Sequence, residues 1–113
     1  MSSPAIDDVV FAELQASTGA EFVDELVDTF LAEAPRMLAE LRAAAEAANA
    51  EAFRRAAHSL KSNASTFGAA TLAAMARELE LGGLAAAGQG APLAALAAEY
   101  ARVAARLAEL RGG

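Results

Sequence analysis

The chain contains no cysteine in 113 residues, so neither a disulfide framework nor a thiolate metal site can form, and nothing argues for secretion. It has a single histidine, His58, and a single lysine, Lys61. One imidazole excludes a di-iron type of metal bundle and leaves no second histidine for an acid/base pair. No apolar run reaches the ~18 residues a membrane span needs, because acids and arginines interrupt every candidate. Met1-Ser2-Ser3-Pro4 is followed at once by Asp7 and Asp8, which is no basic, then apolar, leader. A cytoplasmic protein is expected. Gly-rich nucleotide loops, strand alternation and internal repeats are all missing.

What remains is alanine, leucine and acid. Hydrophobic residues make up 56% of the chain, and glycine and proline are few, a composition that favours helix. Ile6, Val9, Val10 and Leu14 mark a short first helix with Asp7 and Asp8 at its positive end. Ser17-Thr18-Gly19 breaks it, and Thr18 with Glu21 has the form of a capping box for the next helix. There Phe22, Leu26, Phe30, Ala34, Met37, Leu38, Leu41 and Ala45 form one stripe that stays in phase across Pro35, predicting one long helix kinked at the proline.

Asn49 suits the N-cap of a third helix, whose Phe53, Ala56, Ala57, Leu60, Ala64 and Phe67 face a core. Leu72, Met75, Ala76 and Leu79 define a fourth helix closed by Gly82-Gly83, and a loop with Gly88-Gln89-Gly90 follows. Pro92 opens a last helix carrying Leu93, Leu96, Tyr100, Val103, Leu107 and Leu110, and Gly112-Gly113 reads as a frayed end. Together these predict an all-α protein: an antiparallel up-down four-helix bundle with a short additional N-terminal helix, one domain over residues 1–113.

His58 falls about 140° around the third helix from Phe53, on the polar face with Arg54, Lys61, Ser62 and Ser65. Lys61 stands one turn away on that face. An imidazole titrates near pH ~6.5, so at neutral pH it offers a free nitrogen lone pair. A lysine one turn away offers a positive charge to any anion that nitrogen acquires. Ser62 and Ser65 are small, and leave the ring reachable by another protein. The net charge of −6 disfavours nucleic acid, yet no acid occurs between Glu51 and Glu78, where Arg54, Arg55, Lys61 and Arg77 fall. That local field suits an acidic partner or a phosphoryl group, or is simply where helix charges were placed.

The segment Ala57-His58-Ser59-Leu60-Lys61-Ser62-Asn63-Ala64-Ser65-Thr66-Phe67-Gly68-Ala69 resembles the signature of histidine-containing phosphotransfer (HPt) domains of phosphorelays. His58, Lys61, Ser62 and Gly68 stand at its motif positions, with serine at 62 where glycine is common. Phe30-Leu31-Ala32-Glu33-Ala34-Pro35 resembles the family's acidic leader helix, and the likeness spans roughly Val9 to Leu110. It implies a phosphocarrier with no nucleotide site or cofactor of its own. His58 would accept a phosphoryl group through Nε2 from a receiver-domain aspartate and pass it to another, with Lys61 stabilising charge and Gly68 a structural element of the motif. Mg²⁺ would come from the receiver, because this chain lacks an acidic cluster to hold it.

The partners it implies are response-regulator receiver domains and a hybrid histidine kinase, with the chain a monomer that binds neither nucleic acid nor membrane. Asn63 and Ser65 either bond phosphoryl oxygens or simply face water. A docking surface would centre on Val10, Phe11 and Leu14, with Ser62 and Ser65 giving clearance and Arg54 and Arg55 on the rim. Alternatively, Phe11 and Leu14 seal the end of the core. A helical adaptor that binds a receiver or kinase without being phosphorylated uses the same surface. A chemotaxis-type kinase's phosphoacceptor domain is faintly similar at Thr66-Phe67-Gly68, but no kinase domain accompanies it.

Overall fold

The computed structural model describes residues 4–112. Met1 to Ser3, read above as part of a non-leader N-terminus, and Gly113 lie outside the described residues. The described chain forms α1 (Asp8–Thr18), α2 (Ala20–Glu46), α3 (Ala50–Thr66), α4 (Ala70–Gly82), α5 (Leu84–Ala87) and α6 (Ala91–Leu110). The four long helices α2, α3, α4 and α6 make the antiparallel bundle, α1 caps one end, and α5 is a single turn in what the sequence suggested was loop. A 27-residue α2 spans about 40 Å and sets the long dimension of a 41 × 30 × 19 Å molecule.

Local chemistry sets most boundaries. Asp7 caps α1 by accepting from the Val9 and Val10 amides at 2.9 and 3.3 Å, and Asn49 caps α3 through the Ala52 amide at 3.1 Å. α2 runs unbroken through Pro35, which is exposed and forfeits only the amide bond its ring removes. The predicted Thr18 capping box does not form. The chain turns at Gly19, whose φ of +95° suits glycine, so Thr18 stays inside α1 and its hydroxyl donates to the Leu14 carbonyl at 2.7 Å.

Ile6, Phe11, Val23, Val27, Phe30, Leu41, Phe53, Leu60, Phe67, Leu72, Leu96, Val103 and Leu107 are among the buried core residues. At its centre Phe30 meets the Phe67 ring at 5.4 Å and the Tyr100 ring edge-on at 5.9 Å, contacts worth about 0.5–1.5 kcal/mol each beyond their burial. The stripe of α2 starts one residue later than predicted: Val23 and Val27 are buried, whereas Phe22 is 49% exposed. Adjacent apolar pairs at 22/23 and 26/27 satisfy the helical period equally well, and in the packed bundle the valines are the ones buried. The C-terminal end is tied down rather than frayed as far as Gly112. Arg111 makes a two-pronged bond to Asp28 at 2.6 and 2.7 Å, and the Gly112 amide donates to Asp24 at 3.1 Å. The Arg111 guanidinium holds the Asp28 carboxyl below its ordinary range.

Among the described residues no helix is long and apolar enough to cross a membrane.

Candidate functional site

α3 and α4 make the most extensive helix pair in the molecule. Ala56, Ala57, Leu60 and Ala64 on α3 and Leu72, Ala76 and Leu79 on α4 are buried, and the small side chains allow close approach. His58 lies outside this seam, its side chain 56% exposed, as the helical period predicts. Because the two helices are antiparallel, the residue of α4 level with it is Glu80. The Glu80 carboxylate reaches across with one oxygen on each basic group. Oε2 is 2.8 Å from His58 Nδ1 and Oε1 is 2.9 Å from Lys61 Nζ.

This contact decides which ring nitrogen is available. The Lys61 ammonium first, and the His58 contact second, hold the Glu80 carboxyl below its ordinary range, so at neutral pH it is a carboxylate that can only accept. Nδ1 must then carry the proton it donates, and the lone pair resides on Nε2. Glu80 is only 14% exposed and stands beside two basic groups, an arrangement that fixes the ring's tautomer and its orientation together. Sequence reasoning missed Glu80. Its only trace was an acid at the end of an otherwise apolar stripe, and nothing along one helix announces a partner on the next.

The site residues divide into those the structure gathers and those it does not. His58, Lys61, Ser62 and Ser65 share one face; Ser62 and Ser65 are exposed and Lys61 is 28% exposed. Arg54 and Arg55 are exposed as well, with Arg55 at 3.9 Å from Glu51 and Arg54 in no ion pair among the described residues. Asn63 does not join them. It lies well around the helix and donates to its own Ser59 carbonyl at 2.8 Å.

The apolar docking edge on α1 is a correction. Phe11 is 2% exposed and Leu14 packs half-buried against the core, because the inward face of α1 seals the bundle end. Val9, at 66% exposure, is the apolar residue left outside. α1 joins the rest at Gly68, about 15 Å along α3 from His58.

Gly68 has φ +79°, and its carbonyl accepts from the Asp7 amide at 2.8 Å. A Cβ there would lie 2.8 Å from that of Val10 and 3.1 Å from the Asp7 carbonyl oxygen. The motif glycine is therefore where α1 docks.

Grooves at Arg42–Gln89, Met75–Pro92, Asn49–Arg55 and Pro4–Gly68 all leave His58 out. Among the described residues no three metal-ligating side chains cluster. The site is thus an exposed imidazole with a lysine beside it and a carboxylate joining the two.

The family model of the Hpt domain matches residues 25–112, and the chain belongs to that family of histidine phosphotransfer domains of phosphorelays. It is similar to the crystal structure of histidine-containing phosphotransfer protein B (HptB) from Pseudomonas aeruginosa PAO1, at 35% identity and a TM-score of 0.86 over 97% of this chain and 96% of that one. No curated protein matches the chain.

Paired with Glu80 at rest, Lys61 is one turn from the ring and within reach of an arriving anion. Lys61→Ala is expected to slow phosphotransfer by ~10–100-fold, the equivalent of about 1.4–2.8 kcal/mol of transition-state stabilisation, while leaving His58 able to accept the group. Rapid-quench kinetics with a phosphorylated receiver measures this, and an unchanged rate would reduce Lys61 to an anchor for Glu80.

Proposed function

We propose that His58 Nε2 is the phosphoryl acceptor and donor of this Hpt domain, carrying the group between the aspartates of two receiver domains. The observation that carries this reading is the Nδ1–Glu80 contact on a half-exposed ring, which engages Nδ1 and leaves Nε2 as the nitrogen available to react. In-line transfer needs an aligned nucleophile and cations for the equatorial oxygens. His58 is the nucleophile, Lys61 supplies one cation, and the receiver supplies the aspartate and Mg²⁺.

The domain has no nucleotide site and acts as a monomeric, cytoplasmic intermediate rather than as an enzyme, with a hybrid histidine kinase among its partners. Arg54 and Arg55 meet the acidic rim of the receiver's site, and Ser62 and Ser65 leave room for it. The docking centre is this face of α3, without Phe11 and Leu14.

Ser65→Trp tests the placement. Ser65 is exposed two turns from His58, about 10 Å along the helix, so an indole there obstructs the approach without entering the core. Transfer of radiolabel from a phosphorylated receiver is expected to fall at least ~10-fold, or about 1.4 kcal/mol, with the melting temperature unchanged. A normal rate would put the partner elsewhere.

A further inference from the structure

We propose that Glu80 keeps the ring proton on Nδ1 of His58 after the phosphoryl group has arrived on Nε2, so that the phosphohistidine stays in its labile, transfer-ready form through neutral and mildly alkaline pH. This rests on the acceptor assignment above and concerns the loaded state.

In loading, the Nε2 lone pair forms the N–P bond while the P–O bond of the donor's aspartyl phosphate breaks and its electrons leave on the carboxylate. Nδ1 retains its proton, and the ring becomes an imidazolium bearing the phosphoryl group. In unloading, the N–P electron pair returns to Nε2 and the ring departs as neutral, Nδ1-protonated imidazole. Were the Nδ1 proton lost in between, the same cleavage would expel an imidazolate anion, a far poorer leaving group. The lifetime of the loaded state therefore turns on one proton.

The Glu80 carboxylate, 2.8 Å from Nδ1, is placed to hold that proton. A carboxylate at contact distance accepts from that N–H and favours the cationic ring of the loaded state. The other charges around the ring are Arg54 and Lys61 on α3 and Arg77, one turn from Glu80 on α4. These cations oppose a cationic ring, but none is among the ring's hydrogen-bond partners. α2 also packs against α3, and the groove between them, which His58 does not line, carries the charged groups Glu40 and Arg55. The arriving phosphoryl oxygens also compete with Glu80 for the Lys61 ammonium. As Lys61 turns toward them, more of the Glu80 charge is left for Nδ1–H.

The test uses the full chain and its Glu80→Gln and Glu80→Ala variants, with circular dichroism confirming each fold. Each is loaded with phosphoramidate, a small phosphoryl donor that needs no partner, then desalted. Decay of phosphohistidine is followed by phosphorus NMR across the neutral range. The chain has one histidine, so the signal has one origin, and a first-order decay is independent of how fully a variant loads.

The wild-type decay profile should bend at higher pH than that of either variant. On the alkaline side of that bend the wild type should then lose its phosphoryl group severalfold faster than Glu80→Gln. Superimposable profiles, or faster decay in the variants, would overturn the proposal while leaving His58 as acceptor. Absence of phosphohistidine in the loaded wild type would overturn both.

Discussion

The His58→Gln protein is expected to accept no label from a phosphorylated receiver and to melt where the wild type does. The two halves follow from different facts. The ring is 56% exposed and packs into no core, so its replacement falls among surface substitutions that change stability by no more than about ±0.5 kcal/mol. Glutamine retains an amide able to donate to Glu80, so the Glu80–Lys61 pair keeps its setting. An amide nitrogen, however, has its lone pair delocalised into the carbonyl and cannot form an N–P bond. Since His58 is the only histidine, no neighbour can take over. Acid-labile label on the variant would place the acceptor elsewhere, and a large fall in melting temperature would show that the face is structural.

The largest effect on stability is expected at Gly68. Alanine there must adopt φ near +79°, at a cost of about 1–2 kcal/mol, and its Cβ must displace Val10 and the Asp7 carbonyl, the kind of overpacking that costs about 1–3 kcal/mol. A combined loss of ~2–5 kcal/mol corresponds to a fall of roughly 8–20 °C in melting temperature for a domain of this size. Gly19→Ala is the matched control, because Gly19 has φ +95° but nothing within 4 Å of where a methyl group would stand, so only the backbone cost applies. Gly68→Ala should therefore melt clearly below Gly19→Ala. Equal losses would mean that α1 yields at no cost and that Gly68 serves the turn alone.

Much of this was legible along the chain, and the failures share a cause. Helical periodicity put His58 and Lys61 on the polar face and carried α2 through Pro35, because both follow from residues a few positions apart on one helix. Asp7 and Asn49 could be read as helix-start residues for the same reason. What sequence could not fix depends on neighbours in space. Phe22 was placed in the stripe of α2, yet its neighbour Val23 is the one the packed bundle buries. Phe11 looked as suited to a docking edge as to a seal, and only the closed end of the bundle decides for the seal. Thr18 matched a capping pattern that a left-handed Gly19 forestalls. Glu80 is the most instructive case: it is 22 residues from His58, and only the antiparallel α3–α4 pairing brings its carboxylate to the ring.

The central claim is that Glu80 holds Nδ1, so that the phosphoryl group is carried on Nε2. The attachment atom can be read directly. The chain, labelled with nitrogen-15 in its single histidine and phosphorylated by a receiver, should show its large nitrogen–phosphorus coupling at Nε2, with Nδ1 still protonated. Coupling at Nδ1, or a phosphorylated chain with no coupling to histidine at all, would contradict the account.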